Sequence, residues 1–384
     1  MQRQLAVMIA AGLLVACRDS APPVAPVADL VTTSADQGPP PEYQPIALQL
    51  PGDYTRGVAV AINNHGQVVA YTETVKDGLS ESSRAFLWDD GTIQDLGTLG
   101  QTHTVPTDIN DRGEVVGWSR DNGSTEAHAF FWDQGTMQDL GEVAVYGGGQ
   151  PVFNQVRINA RGQVLGNRPE GGAFLWDGGV TQSVPLAFGA DLNNGGQVAG
   201  WVLYDSGGVR HRRAAVWDGG VVTELGTLGG ADSWAWAISN SGWVVGGSFT
   251  VPNEFGSPEL HAFRWRNGQI EDLGRSGQTS SGRPEGWQAW LVNEPGQIAA
   301  KSFDVPFFWD GGVTQAIHCR CSSWYPMDMN VHGTIVGWGG WVWTDGVLHD
   351  LEGEVQHRAV AVNDQGAVVG YQLTVPTVWL PVRH

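Results

Sequence analysis

The chain has 384 residues, 54 of them Gly and 18 Trp, with 16% charged residues and just two Lys, Lys76 and Lys301. So few charged helix formers exclude a mainly helical protein, and the recurrence of Gly, Val, Thr and Trp points to many short strands joined by tight turns. Forty acidic residues against 21 Lys and Arg give a formal net charge of −19. That balance argues against nucleic acid as a partner, because the one basic cluster, Arg210, His211, Arg212 and Arg213, reads as a solvated loop in an acidic chain.

Met1 to Arg3 is a short positive start, and Leu5 to Ala16 is an apolar run of twelve residues, too short to span a bilayer. The run ends in Leu14-Val15-Ala16-Cys17, which resembles a bacterial lipoprotein signal. The resemblance implies cleavage behind Ala16 and a diacylglyceryl group on the sulfur of Cys17, so that residues 1–16 are a signal peptide. Each buried methylene contributes about 0.8 kcal/mol, so two or three acyl chains make a durable anchor and the expected membrane contact is through lipid alone. Arg18 stands where an Asp would signal inner-membrane retention, and the expected address is the outer membrane or cell surface. Residues 17–44 are Pro-rich without apolar periodicity and read as an extended tether.

From residue 45 the chain repeats itself. A Trp ends a short apolar run at Trp88, Trp132, Trp176, Trp217, Trp265, Trp309, Trp343 and Trp379, which makes eight copies. Before seven of these lies an apolar residue followed by Asn-x-x-Gly, starting at Asn63, Asn110, Asn159, Asn193, Asn293, Asn330 and Asn363. The eighth, Ser239 to Gly242, keeps the Gly. Seven steps separate Gly66 from Gly366, a mean period of about 43 residues. The second copy shows four strand-like pieces: 105–110, 114–118, 129–132 and 136–140. The first two are joined by Asn110 to Gly113 and the last two by Asp133-Gln134-Gly135, where Asn and Asp bond their own backbone and Gly supplies positive φ. These Asp residues are turn formers, since the dense oxygen donors of a calcium loop are missing.

Four strands repeated eight times predict an all-β fold, a β-propeller of eight four-stranded blades over residues 45–384. The last copy stops at Trp379-Leu380 without a fourth strand, while Pro45 to Leu50 resembles Ile93 to Leu99. The N-terminal strand is therefore expected to complete the final blade and remove the open edges. An open solenoid would need polar capping units, and none is evident.

The same residues carry a family resemblance. His128-Ala129-Phe130-Phe131-Trp132, His261-Ala262-Phe263-Arg264-Trp265, Asp95-Leu96-Gly97 and Leu225-Gly226-Thr227-Leu228-Gly229-Gly230 resemble the bacterial extracellular repeats called HAF. The resemblance implies an exported, repeat-built protein. It carries over no catalytic residues and no cofactor.

If the strands of each blade run antiparallel in order, the Asn-x-x-Gly and Asp-x-Gly turns share one face of the disc. Long loops are expected on the other face in copies one, two, four and five, at 72–84, 119–128, 202–213 and 248–261, and a rigid scaffold with variable loops is where binding usually resides. The candidate ligand residues there are Tyr204, Asp205, Arg212, Trp234, Trp287, Trp290, Trp324 and Tyr325, with Trp236 and Phe255 beside them. Tyr71, Trp118, Trp201, Trp338 and Tyr371 end the second strand in five copies and read as core. His318-Cys319-Arg320-Cys321 lacks a distant fourth donor for a metal, and a disulfide between neighbours so close would be strained. No Gly-x-Ser-x-Gly, His-Glu-x-x-His or phosphate loop is present. The expected function is a surface-anchored binding module for an extracellular glycan or protein partner. The alternatives are an envelope-assembly propeller, or a hydrolase or lyase on an extracellular polymer, which would need a carboxylate or His cluster near the central channel.

Overall fold

A computed structural model describes residues 42–145, 156–253, 256–274, 286–302, 305–318, 325–351 and 357–382. The described residues form 32 strands and no helix. The strands group into eight four-stranded antiparallel blades, with the innermost strand of each blade first in sequence. The inner strands are Arg56–Ile62, His103–Ile109, Arg157–Ile158, Phe188–Leu192, Gly229–Ile238, Trp287–Val292, Pro326–Met329 and His357–Val362. Blades 1 and 2 are also joined by a parallel bridge between Ser83 and His103.

Blade 8 is closed by the N-terminus. Glu42–Ala47 pairs antiparallel with Val375–Val382, from Glu42 opposite Val382 to Ala47 opposite Thr377. The pairing begins before the expected Pro45 because Tyr43 packs on blade 7, edge-on to His349 at 6.0 Å. Leu48 then donates its N–H to the Pro376 carbonyl at 2.8 Å, matching Leu273 to Ala262, Ile317 to Pro306 and Leu351 to Gly340 in other blades. Leu48 is 1% exposed. The N-terminus thus supplies both the missing fourth strand and its buried leucine. The outer strands are short and carry acids or Pro45 in several blades, which blunts edge-to-edge pairing.

The core is a set of wedges between successive blades. Ala61, Val69, Ala85, Leu87 and Leu96 of blade 1 meet Ile109, Val115, Phe130 and Trp132 of blade 2. Close packing requires a small residue midway along the second strand: a Cβ on Gly117 would lie 2.2 Å from the Val105 carbonyl oxygen and 2.7 Å from Phe130. Six of the eight landmark Trp are buried, and Trp88 and Trp265 are half-buried.

Both turn types fall on one face, as the antiparallel order demands. Two of the four expected loops on the opposite face are instead hairpin ribbons. In blade 1 the strands run on to Lys76 and Leu79 about Asp77-Gly78, and in blade 4 to Ser206 and Val209 about Gly207-Gly208. All four of these turn residues have positive φ, the geometry that matches strand twist and lets pairing continue to the tip.

The turn Asn does more than close its own turn. In Asn63, Oδ1 accepts the N–H groups of His65 and Gln67, and Nδ2 donates to Gln67 Oε1 and to the Asn110 carbonyl of the next blade. Asn110 reaches Asn159, Asn159 reaches Asn193, Asn193 reaches Ser239, Asn293 reaches Asn330, Asn330 reaches Asn363, and Asn363 reaches back to Asn63, all at 2.9–3.2 Å. At blade 5, where Ser239 replaces Asn, the link is remade by Glu294: Asn240 and Ser241 donate backbone N–H to its carboxylate, and the Ser241 hydroxyl donates to its carbonyl. The ring is closed by a belt of side-chain hydrogen bonds as well as by a strand.

Asn363→Asp keeps the acceptor but removes the donor aimed at Asn63 and buries a charge in its place, so it is expected to cost about 2–4 kcal/mol. Asn194→Asp, exposed and used only as an acceptor from Ala160 N–H, is expected to change stability by about 0.5 kcal/mol or less. Guanidinium unfolding of both variants checks this, and equal losses would contradict the belt.

Candidate functional site

The residues of the HAF resemblance meet on the outer half of the blades. His128 Nδ1 lies 2.9 Å from Asp139 and His261 Nδ1 2.9 Å from Asp272, tying third strand to fourth. Arg84 pairs with Asp95 in the same place in blade 1. The following Gly donates its N–H back to the Asp in each case. These groups are consumed by strand pairing.

The expected ligand residues separate into three groups. Tyr204, Asp205 and Arg212 lie on the blade 4 ribbon: the Tyr204 hydroxyl donates to the Ala231 carbonyl at 2.7 Å, Asp205 is exposed with Arg210 at 3.7 Å, and the Arg212 guanidinium sits over Trp201 at 5.6 Å. Trp234 and Trp287, expected among the loop-face residues, are instead buried. Trp287 is 1% exposed, packed against Ile298, Phe307 and Trp309, with its indole N–H donating to the Gly274 carbonyl. Trp234 is 9% exposed, and its indole donates to Gln288 Oε1 at 2.8 Å. Trp290 and Tyr325 are half-buried and do come together. Cys17, Phe255, Cys319, Cys321 and Trp324 lie outside the described residues.

Trp290 and Tyr325 belong to a rank of five rings that crosses blades 4 to 7. Phe188 stacks on Trp201 at 4.5 Å, Trp201 meets Trp236 edge-on at 5.3 Å, Trp236 stacks on Trp290 at 5.2 Å, and Trp290 meets Tyr325 edge-on at 6.1 Å. Two cations sit over the rank, Arg212 over its second ring, Trp201, and Lys301 over its last, Tyr325, at 3.2 Å. Trp201, read as core, is half-buried in this rank.

A repeated β-bulge puts Trp236 and Trp290 there. In seven inner strands the register shifts at the third residue before the turn position, making Val60, Thr107, Ala190, Trp236, Trp290, Met327 and Val360 the extra residues. A bulge re-aims side chains out of the regular alternation. The next residue in each blade is Ala61, Asp108, Arg157, Asp191, Ala237, Leu291, Asp328 or Ala361, and of these Arg157, Asp191, Ala237, Leu291 and Asp328 line one cavity at the channel.

This charged tier is what the sequence reading missed, although its signal is plain: an Asp or Arg two residues before the turn Asn. Asp108 accepts the N–H groups of Ile109 and, from the next blade, Ile158 at 3.1 Å. Asp191 accepts from Ile238 of blade 5, and Asp328 from Met329 and from Val362 of blade 8. Protein surrounds these carboxylates, of which Asp191 and Asp328 line a cavity, and burial raises all three pKa values against the pull of the N–H donors and Arg157. Asp108 is pushed up to about 6. Among the described residues, no hydrogen bond or ion pair within 4 Å engages Arg157, and no group of three His, Cys, Asp or Glu is placed to hold a metal. Arg157, Asp191 and Asp328 line a cavity of ≈ 170 Å³ with Phe188, Trp236 and Trp290. A second cavity of ≈ 340 Å³ continues to the turn face, lined by Asn110, Asn159, Asn193 and Asn293.

The raised pKa has a stability signature. Folded Asp108 holds its proton more tightly than the unfolded chain, so its contribution is full below about pH 4 and is lost as pH rises through about 6. Relative to Asp108→Asn, the protein should lose about 3 kcal/mol between pH 4 and 7, the equivalent of a shift of about two pH units. Denaturant unfolding of both proteins across that range tests it, and a pH-independent difference would rule it out.

No known family model and no curated protein sequence matches the chain. Among solved structures, the β-propeller domain of the Trilobed protease from Pyrococcus furiosus is similar over 85% of this chain and 96% of that one, at 10% identity and a TM-score of 0.46. The acylaminoacyl peptidase from Pyrococcus horikoshii is similar over 82% of this chain and 57% of its own, at 12% identity and a TM-score of 0.48. Streptogramin B lyase is similar over 88% and 98%, at 10% identity and a TM-score of 0.41. At these identities and scores the likenesses bear on neither activity nor substrate, and the propeller architecture rests on the strand pairing itself.

Proposed function

We propose that this protein is a lipid-anchored surface propeller, held by Cys17 and the Pro-rich segment behind it, that binds an extracellular glycan at the channel mouth opposite the turn face. The observation that carries the reading is the rank of half-buried rings from Phe188 to Tyr325, set beside a channel lined by Arg157, Asp191 and Asp328. Sugar rings combine an apolar C–H face with a rim of hydroxyls. The first stacks on an aromatic surface and the second needs donors and acceptors close by, a pairing of apolar wall and few polar groups that suits a ligand pocket. The acidic surface favours a neutral polymer over an anionic one.

A second reading, a hydrolase or lyase on such a polymer, draws support from Asp108. Its carboxyl, with a pKa of about 6, interacts electrostatically with Arg157 and Asp328 of the cavity and titrates where a general acid or base is useful.

The full chain in detergent, applied to a glycan and cell-wall polymer array, is expected to bind saturably. Trp290→Ala and Tyr325→Ala should weaken binding about ten-fold each and lower the melting transition less than Trp287→Ala does, with binding measured below each variant's transition. Trp287→Ala should instead cost about 3–5 kcal/mol of stability, because it empties a core wedge. Release of shortened products would move the assignment to the catalytic reading. A folded protein that binds no glycan but crosslinks to one envelope protein would replace the glycan with a protein partner.

A further inference from the structure

Resting on the glycan reading, we infer that the tier formed by Arg157, Asp191 and Asp328 is a terminal subsite that takes a single uncharged sugar unit at the end of a chain, end-on into the channel. The inference starts from an inventory of donors and acceptors. Arg157 brings up to five N–H donors to the cavity, and none of the described residues takes one of them in a hydrogen bond or ion pair. Asp191 and Asp328, across the same cavity, are acceptors only, already holding backbone N–H groups with their remaining lone pairs toward the open space. A ligand that fits both must accept from the guanidinium and donate to the carboxylates within one small volume.

Three ligand groups can be weighed against that requirement. A carboxylate satisfies Arg157 but faces two aspartates in a subsite whose formal charge is already negative. An ammonium satisfies the aspartates but offers nothing to Arg157 and meets a like charge. A hydroxyl both accepts and donates, and vicinal hydroxyls on one ring serve Arg157 and the carboxylates together. The walls agree with the same ligand, since Trp236 and Trp290 come from the bulge positions of neighbouring blades and give a sugar's C–H face a surface to lie on.

Size supplies the end-on restriction. A cavity of ≈ 170 Å³ holds the volume of about five or six liquid waters, which is room for one hexose ring and not two. The next cavity along the axis is rimmed by turn carboxamides engaged in the inter-blade belt. An internal unit of a polymer, with chain leaving on both sides, does not fit this geometry, whereas a terminal unit does.

Titration calorimetry on the full-length protein in detergent tests this with glucose, maltotriose, cellotriose and mannotriose as neutral probes, and glucuronic acid and glucosamine as charged ones. The expected result is binding of at least one neutral trisaccharide, weakened about ten- to a hundred-fold by Arg157→Gln and by Asp328→Asn. The two charged sugars should bind the wild type less well than glucose, a comparison that needs no variant and stands if one fails to fold. Arg157→Gln removes the cation that offsets the buried aspartates and is expected to lower the melting transition, so the variant is titrated below its own transition and the charged-sugar comparison carries the test if it does not fold. A neutral trisaccharide that binds equally well to Arg157→Gln, with Trp290→Ala still weakening it, overturns the subsite and leaves the glycan reading standing. Preference for glucuronic acid or glucosamine overturns the uncharged specificity. Failure of every probe to bind at millimolar concentration overturns the subsite and the glycan reading together.

Discussion

The structure depends on one side chain doing four things at once. A propeller closes only if every blade offers its neighbour the same contact at the same radius, and here that contact is the carboxamide of the turn Asn. Its oxygen takes two N–H groups of its own turn, and its nitrogen gives one bond to the turn and one to the next blade's carbonyl. Aspartate cannot donate the outward bond, and serine is too short to span it. The exception shows the constraint: where Ser239 replaces Asn, the junction to blade 6 is rebuilt from Ser241, Asn240 and the Glu294 carboxylate. That same junction carries the Trp236 and Trp290 stack, so the ring departs from its repeat where the candidate binding surface lies.

The site grows out of the belt. Strand pairing in seven blades slips by one residue just before the turn, and the slip turns the next side chain toward the axis. In blades 2, 4 and 7 that side chain is Asp, whose carboxylate reaches across to a backbone N–H of the following blade. Burying three carboxylates works against stability, and the raised pKa of Asp108 measures that tension. The cost is offset in part by the N–H groups they satisfy and by the charge of Arg157 in their midst. A fold device that joins blades has also placed acceptor-rich carboxylates beside the Arg157 guanidinium in one cavity.

Trp287 and Trp290 show why the two were hard to tell apart in the sequence. They stand three residues apart on one strand, and strict alternation already puts them on opposite faces. The bulge at Trp290 decides which of them leaves the packed wedge, and a bulge of one residue has no composition of its own. The ribbons of blades 1 and 4 have a related origin. Asp77-Gly78 and Gly207-Gly208 are hairpin dipeptides visible in the sequence, but only pairing shows that the flanking residues continue as strand to the tips.

The sequence by itself determined what is local and repeated: the number of blades, the four strands in each, the shared face of the two turn types and the N-terminal strand that closes the last blade. These follow because alternation, positive-φ glycines and turn-forming Asn act over a few residues and recur eight times. Only the tertiary structure decided what stands together on the axis. Asp108, Arg157, Asp191 and Asp328 come from four different blades and the aromatic rank from four, and a register slip beside Asp108, Asp191, Asp328, Trp236 and Trp290, with contact to the neighbouring blade, sets the direction of those side chains. Those contacts join residues 34 to 54 apart in sequence, where periodicity within a single strand carries no information.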